Sequence, residues 1–369
     1  MAGQFKLFNL VLYYYIAEEK MAIYFLTPDY AFPSGGVRII YRHVDILNSH
    51  GIQAYVLHRK PGHRASWFDN QTSIAYLDNT VSRRLHLKLQ KRLHPDRPRK
   101  WFLLGQTNKY LGAEDILVLP EIYGPQEMLD MAPGVPKVIL NQGCYLTFQQ
   151  YPIAQDMLLT PYRHPDVIGV LTNSQEGLDY LKYVFPEIQV GRFHPSIDPV
   201  LFGYRADKKR KIAFTTRKNE LIMRQVVNIL KFRNALSDFE LVPFAGIGQQ
   251  EVAKIFQDSV FYLSFATYEG FGLPPAEAMA CGCVVIGFNG GGGKEFFQPE
   301  ISYPIENSDV IGFAAQVEQS IREFEADPSE IMEKGRLASD FIREHYSPEQ
   351  EIGDVVNYWR GFVSGESMQ

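Results

Sequence analysis

The segment SFATYEGFGLPPAEAMACG (residues 264–282) carries the clearest structural signal in the chain. It overlaps a mostly apolar run at 260–265, which predicts a buried strand. A glycine-bearing turn at 268–272 follows, and Pro275 suits the first helical position because its missing N–H would be unpaired there anyway. Gly282 suits the position just after the helix, where positive φ is needed. The sequence therefore predicts strand, loop and helix in immediate succession.

Two carboxylates belong to this unit. Glu277 is predicted in the first helical turn, where the positive end of the helix dipole favours an acid. Glu269 is predicted in the loop that the helix start faces. Carboxylates accept hydrogen bonds from hydroxyl groups, and the free amides of a helix start bind phosphate. A ligand with both hydroxyls and phosphates would suit this crevice; the alternative is a plain strand–turn–helix with two surface glutamates.

The string EGFGLPPAEAMACG, with seven residues between Glu269 and Glu277, resembles the E-x7-E signature of retaining GT-B glycosyltransferases of family 4. The spacing alone is weak, whereas the whole string with its Gly-Phe-Gly-Leu-Pro core is specific. The resemblance implies an α/β fold of GT-B type, in which two Rossmann-like domains with parallel sheets face a central cleft and a C-terminal helix crosses back to the N-terminal domain. It covers most of the chain from Met21 and is densest over 212–295.

Size and composition agree with this class. A chain of 369 residues is comfortable for two domains, and 46% hydrophobic with 21% charged residues is typical of a soluble globular protein. The net charge of -5 argues against general nucleic-acid binding. The three cysteines have neither metal nor disulfide spacing, which favours free thiols in a reducing compartment. We therefore expect a cytoplasmic protein that does not bind nucleic acid.

Four segments are predicted along the chain. Residues 1–20 are an N-terminal extension, and 21–190 form a Rossmann-like acceptor domain. Residues 191–345 form a Rossmann-like nucleotide-sugar domain, and 346–369 hold a helix that returns to the first domain. The sequence from 192 to 202 resembles the interdomain crossing of the family, and Ser347 to Gln350 form a capping box that opens the last helix.

The N-terminal domain begins with a β-loop-α-β pattern in which Gly35 and Gly36 open the helix. Glycine lets backbone N–H groups approach a ligand without interference from a Cβ atom. By the resemblance, this is the glycine loop that faces the donor diphosphate. The pair does not fit G-x-G-x-x-G, which counts against a Rossmann dehydrogenase.

The resemblance also implies roles in the C-terminal domain. Glu277 would hold the donor ribose, and Glu269 would hold the transferred sugar. Further donor contacts are implied for Gly270, Phe271, Gly272, Leu273, Gly291 and Gly292. Cations are needed because negative charge builds on the departing diphosphate. Arg217 and Lys218 are the predicted cations, although the family spacing is Arg-x4-Lys, so Arg224 remains an alternative to Lys218.

The acceptor side is less specific. Glu121, Asn141 and Gln142 follow predicted strands, at the sheet edge where α/β proteins bind ligands, and are candidate acceptor or sugar contacts. Each could instead cap a loop. The implied reaction is front-face transfer from a nucleotide-diphosphate sugar to a hydroxyl of a glycan, polysaccharide or lipid-linked saccharide. No cofactor and no obligatory metal are expected, because Arg and Lys can replace Mg²⁺ and no Asp-x-Asp occurs.

Three alternatives stay open. A basic amphipathic segment at 83–94 suits either peripheral contact with an anionic membrane at the inner face or a solvated helix. A pair of carboxylates also suits a glycoside hydrolase, but a hydrolase has no use for a diphosphate clamp. A non-catalytic nucleotide-sugar-binding partner could share the fold.

Overall fold

The computed structural model describes residues 21–78, 101–151, 153 and 160–363. Within these ranges the chain forms two sheets flanked by helices. The predicted extension at 1–20 and the basic segment at 83–94 lie outside the described residues. None of the described helices is long and apolar enough to cross a membrane.

The first sheet belongs to the N-terminal domain and has the strand order β4-β3-β2-β1-β5-β6-β7-β8. Neighbouring strands pair in parallel except β3 with β4, which are antiparallel. The strands are β1 (Ile23–Leu26), β2 (Ala54–His58), β3 (Ile74–Leu77), β4 (Leu103–Gly105), β5 (Ile116–Pro120), β6 (Lys137–Asn141), β7 (Val167–Thr172) and β8 (Val190–Arg192). The helices of this part are α1 (Gly35–Ser49), α2 (Pro125–Asp130) and α3 (Gln175–Val184), with 3-10 turns at Cys144–Leu146 and Pro161–Arg163.

The second sheet belongs to the C-terminal domain and has the order β10-β9-β11-β12-β13, all parallel. Its strands are β9 (Lys209–Thr215), β10 (Glu240–Phe244), β11 (Ser259–Ser264), β12 (Val284–Gly287) and β13 (Ser302–Pro304). The helices are α4 (Glu220–Phe232), α5 (Gln249–Asp258), α6 (Leu273–Ala280), α7 (Val310–Ala326), α8 (Pro328–His345) and α9 (Pro348–Val363), with a 3-10 turn at Gly292–Glu295.

The central strands are continuous apolar runs because both faces of each sheet are covered by helices. Strands β1 and β11 are buried along their whole length. Core clusters lie on both sides of each sheet. The expected α/β architecture is therefore confirmed: the second sheet is parallel throughout, and the first is parallel except for its edge strand β4.

The last helix, α9, packs on the N-terminal domain, as the sequence predicts. Val355, Val356 and Trp359 are buried in the core around β1 and α1. Glu351 is fully buried. It forms an ion pair with Arg42 of α1, whose Nε lies 2.8 Å from Glu351 Oε2, and it accepts a hydrogen bond from the Ser196 hydroxyl at 2.6 Å. A charge buried this way is tolerated because it is paired and hydrogen-bonded. Strand β8 (Val190–Arg192) still belongs to the first sheet, and the chain crosses to the second sheet after it.

Helix α6 begins two residues earlier than the sequence indicates. Gly272 adopts φ +99 as the N-cap, so Leu273 is the first helical residue and Pro274 the second. Glu277 is consequently in the second turn, and the prediction that it lies in the first turn is wrong. Both prolines are tolerated because N–H groups of the first turn have no intrahelical acceptor. The positive φ expected at Gly282 is confirmed at +85.

Candidate active site

A cleft of about 410 Å³ lies between the two domains, where carboxyl ends of strands from both sheets face each other. Most of the predicted site residues line it: Gly35, Gly36, Gln142, Arg217, Lys218, Glu269, Gly270, Phe271, Gly272, Leu273 and Glu277. The others do not: Glu121, Asn141, Gly291 and Gly292. The structure thus brings together elements that lie as much as 242 residues apart in sequence, from Gly35 to Glu277.

Gly291 and Gly292 belong to a glycine run that packs against the loop carrying Glu269. The Glu269 amide donates to the Gly290 carbonyl at 2.7 Å, and the Gly292 amide donates to the Glu269 carbonyl at 3.2 Å. A Cβ atom on Gly292 would lie 2.0 Å from the Gly270 carbonyl oxygen. The glycine run is therefore needed for the close packing of two loops, one of which carries Glu269.

The predicted cations differ in their surroundings. Arg217 and Lys218 follow β9 and line the cleft, and Lys218 Nζ lies 2.9 Å from Glu269 Oε1. Arg224 is one turn into α4, where it pairs with Glu220 on an exposed face at 2.6 Å. It does not line the cleft. The geometry therefore favours Lys218 over Arg224 as the second cation.

Glu277 has a partner that the sequence reasoning missed. Arg38 of α1 places Nη2 3.0 Å from Glu277 Oε1, across the cleft. Burial raises the pKa of Glu277, and the Arg38 charge opposes that rise. A signal was present in the sequence, because Arg38 lies three residues after Gly35 and residues at this spacing share a helix face.

Glu121 and Asn141 hold together the loop that follows β6. The Glu121 carboxylate is buried and accepts hydrogen bonds from the backbone N–H groups of Gln142 and Gly143; burial raises its pKa to about 7. Asn141 is also buried and donates to Thr147 Oγ1 at 2.9 Å and to the Tyr162 hydroxyl at 2.8 Å. Buried polar groups need such partners.

Gln142 is the only one of these three acceptor candidates that reaches the cleft. Its Nε2 donates to the Gly36 carbonyl at 3.2 Å. It therefore connects the loop that follows β6 to the glycine pair at the start of α1.

One end of the cleft was not anticipated. It is formed at the carboxyl end of β10 and the start of α5, by Phe244, Ala245, Gly246, Ile247, Gly248, Gln249 and Val252. The available signal was positional, because β10 is the neighbour of β9, whose own end carries Arg217. This end offers backbone amide and carbonyl groups beside apolar side chains.

Among the described residues, Asp29, His58 and His63 form a group whose ligand atoms could surround a metal ion. Both nitrogens of His58 are already engaged, Nδ1 with Asp29 Oδ1 and Nε2 with the Tyr41 hydroxyl, each at 2.7 Å. None of the three lines the cleft. We assign no metal to this group.

Comparison with known proteins gives three kinds of similarity. Residues 241–339 match the family model for glycosyl transferases group 1. The chain is 29% identical over 191 residues to an alpha-1,6-glucosyltransferase of Actinobacillus pleuropneumoniae serotype 7 (strain AP76), an alignment that covers 48% of this chain and 54% of the relative. The chain thus matches about half the length of this curated relative.

Solved structures are similar over nearly the whole chain. Sucrose-phosphate synthase from Thermosynechococcus elongatus superposes with a TM-score of 0.64 at 14% identity, covering 94% of this chain and 100% of that one. A glycosyltransferase from Rickettsia africae ESF-5 gives 0.62 at 13% identity, with 94% and 100% covered. Anabaena HepE in complex with UDP-glucose gives 0.62 at 12% identity, with 92% and 100% covered. Together with the two parallel-stranded domains and the returning helix, these neighbours establish the GT-B fold.

Proposed function

We propose that this chain is a retaining glycosyltransferase that moves a sugar from a nucleotide-diphosphate sugar to a hydroxyl of a glycan, polysaccharide or lipid-linked saccharide. The observation that carries the proposal is the convergence of Glu269, Glu277 and the Arg217–Lys218 pair on one cleft between two domains. Acids of this kind accept hydrogen bonds from sugar hydroxyls, and paired cations bind a diphosphate. The match to glycosyl transferases group 1 over 241–339 supports the same reaction class.

In the proposed reaction, Glu277 accepts hydrogen bonds from the ribose and Glu269 from the transferred sugar. The bond between the anomeric carbon and the diphosphate breaks while the acceptor oxygen attacks from the same face. The acceptor proton passes to the leaving diphosphate oxygen. Arg217 and Lys218 stabilise the charge that develops there, an effect of about 10²- to 10³-fold per group in comparable sites.

The start of α6 contributes fixed dipoles to the same reaction. The first N–H groups of a helix have no intrahelical acceptor and favour anions. Leu273 and the two residues before it, Phe271 and Gly272, line the cleft and carry such N–H groups. We assign them to the phosphate side of the donor.

The nucleobase is assigned to the end of the cleft at 244–249, where apolar side chains lie beside backbone donors and acceptors. The curated relative is a glucosyltransferase, and one structural neighbour contains UDP-glucose. UDP-glucose is therefore the first donor to test. No metal is assigned a role, because the chain offers cations for the diphosphate.

We further propose a cytoplasmic location, with peripheral contact of the basic segment at 83–94 on an anionic membrane at the inner face. This proposal rests on the amphipathic pattern of leucines and cations in the sequence. Cosedimentation of the full chain with vesicles of anionic and of zwitterionic lipid tests it. Binding to anionic vesicles that high salt abolishes is expected, and equal absence of binding to both would contradict it.

The transferase proposal is tested by the release of nucleoside diphosphate from UDP-glucose, UDP-N-acetylglucosamine, ADP-glucose and GDP-mannose. Each donor is assayed with and without a mixture of mono- and disaccharides and an extract of lipid-linked saccharides. We expect one donor to be consumed faster with acceptor, and NMR of the product to show the donor's anomeric configuration retained. Tight donor binding without release under any condition would favour the non-catalytic nucleotide-sugar-binding alternative.

A further inference from the structure

An ion pair crosses the cleft inside the proposed donor site. Arg38 belongs to α1 of the N-terminal domain and Glu277 to α6 of the C-terminal domain, and Nη2 lies 3.0 Å from Oε1. Both residues line the cleft, and their side chains are only 17% and 9% exposed. The carboxylate assigned to the donor ribose is therefore held by a charge from the opposite domain.

The protonation of Glu277 decides what it can bind. A carboxylate accepts hydrogen bonds with both oxygens, whereas a protonated carboxyl group donates one and accepts fewer. Burial favours the neutral form. A ribose whose two hydroxyls donate to Glu277 therefore needs a nearby cation that keeps this buried group ionised.

The ionisable groups that face Glu277 differ in their charge and in their other partners. Arg38 and Arg42 face it from α1, Tyr262 from β11 and Cys281 from the position directly after α6. Arg42 is committed to Glu351, with Nε 2.8 Å from Oε2. Tyr262 and Cys281 are buried neutral groups with raised pKa values. Arg38 is therefore the cation in direct contact with Glu277, and the charge of Arg42 acts more weakly in the same direction.

The pair also leaves room for a ligand. Arg38 contacts Oε1, and within the described part of the chain no hydrogen bond reaches Glu277 Oε2. The guanidinium carries five N–H donors. A ribose hydroxyl can thus approach the carboxylate while Arg38 stays in place.

We propose that Arg38 is a positioning residue of the donor site, which holds Glu277 as an oriented carboxylate and makes donor recognition by the C-terminal domain depend on the N-terminal domain. The inference rests on the proposed nucleotide-sugar function. It assigns to α1 a contribution to donor affinity that acts through Glu277.

The test compares Arg38→Met and Arg38→Lys with a matched control, Arg192→Met. Arg192 also crosses between domains, with Nη2 2.6 Å from Glu295 Oε2 and side chains 18% and 14% exposed, but neither residue lines the cleft. Binding of UDP-glucose, UDP-N-acetylglucosamine, ADP-glucose and GDP-mannose is titrated calorimetrically from about pH 6 to about pH 9, above the ordinary pKa of a glutamate.

Loss of Arg38 lets the pKa of Glu277 rise further, because the charge that opposes the effect of burial is gone. We expect Arg38→Met to weaken donor binding, and to weaken it more near pH 6 than near pH 9, since a protonated carboxyl group accepts fewer hydrogen bonds from the ribose. Arg38→Lys keeps the charge and should retain the wild-type pH profile, as should Arg192→Met. Should Arg38→Met fail to fold, Arg38→Gln gives the same readout with a neutral donor.

An Arg38→Met or Arg38→Gln profile parallel to that of the wild type would overturn this inference and leave the proposed function intact. An equal change of profile in Arg192→Met would also overturn it, because contact between the domains in general would then be responsible. Failure of the wild-type protein to bind any of the four nucleotide sugars would instead remove the proposed function, and this inference with it.

Discussion

Lys218 Nζ lies 2.9 Å from Glu269 Oε1, so the proposed diphosphate cation and the proposed sugar-binding acid form an ion pair at the wall of the cleft. The Lys218 side chain is 43% exposed, and pairs with this exposure contribute about 0–1 kcal/mol to stability. A gain in stability therefore does not explain why these two residues are paired. Its position in the cleft is explained by the charged ligand that we propose.

Lys218→Met should reduce donor turnover about 10²-fold, because one fixed charge on the departing diphosphate is removed. The free energy of unfolding in urea should change by less than about 1 kcal/mol. Arg224→Met is the control: it removes a nearby cation that pairs with Glu220 outside the cleft, and turnover should stay at the wild-type level. A larger loss in Arg224→Met than in Lys218→Met would assign the clamp to Arg224.

Arg217→Ala should mainly slow transfer. The negative charge on the diphosphate grows as the bond to the sugar breaks, so the cation is worth more in the transition state than in the bound donor. We expect kcat to fall about 10²- to 10³-fold with a small change in donor Kd. Single-turnover kinetics and calorimetry separate the two quantities. A loss of Kd as large as the loss of kcat would show that Arg217 acts in binding alone.

Gly270→Ala tests the contact between the domains beside Glu269. A Cβ atom there would lie 1.6 Å from the Gln142 carbonyl oxygen, which is backbone and cannot rotate away. The two loops must then separate, so we expect turnover to fall at least about tenfold and stability to fall by about 1–3 kcal/mol.

The control for this substitution is Gly353→Ala in α9, where an added Cβ meets nothing within 4 Å. Alanine in a helix interior should stabilise by about 0.5–1 kcal/mol relative to glycine. Thermal denaturation and the turnover assay measure both effects. Wild-type activity in Gly270→Ala would mean that the close approach of Gln142 is not required.

Glu121 should make the stability of the protein depend on pH. Burial raises its pKa from 4.5 to about 7, so between these values the folded state holds a proton that the unfolded state has lost. Its stabilising contribution is complete below about pH 4.5 and is lost as the pH rises through about 7. The full effect is about 3 kcal/mol, from 1.36 kcal/mol for each pKa unit.

Glu121→Gln isolates this contribution, because the amide oxygen can still accept from Gln142 and Gly143 but does not titrate in this range. Relative to the wild type, the variant should gain about 2.5 kcal/mol of unfolding free energy between pH 5 and pH 8, less than the full effect because the unfolded carboxyl is already mostly ionised at pH 5. Urea denaturation of both proteins at the two pH values measures it. If the two proteins differed in unfolding free energy by the same amount at pH 5 and at pH 8, the assigned pKa would be contradicted.

The fold was predictable because its signals are local. Apolar strands, the glycine pair at the start of α1 and the capping residues of α9 each depend on neighbouring residues alone. The start of α6 differs by two residues from the predicted one because prolines are acceptable throughout a first turn, and only the left-handed conformation of Gly272 makes Leu273 the first helical residue.

The site was predictable where a motif specified it, as at Glu269 and Glu277. The Arg38–Glu277 pair was not, because its members lie 239 residues apart, in different domains, and meet only in the folded chain. Glu121 and Asn141 show that a correctly predicted position does not by itself give the role of a side chain. Their positions at strand ends were read from the sequence, but whether such a side chain enters the cleft or ties down a loop depends on partners that only the folded chain reveals.

The most direct test of the central claim is calorimetric titration of the four nucleotide sugars into the wild-type protein and into Glu277→Ala. The account predicts that the wild type binds at least one of them and that Glu277→Ala binds it at least about tenfold more weakly, since two hydrogen bonds from the ribose to a charged acceptor are lost. Equal affinity of the two proteins for that donor, or no binding of any of the four by the wild type, would contradict it.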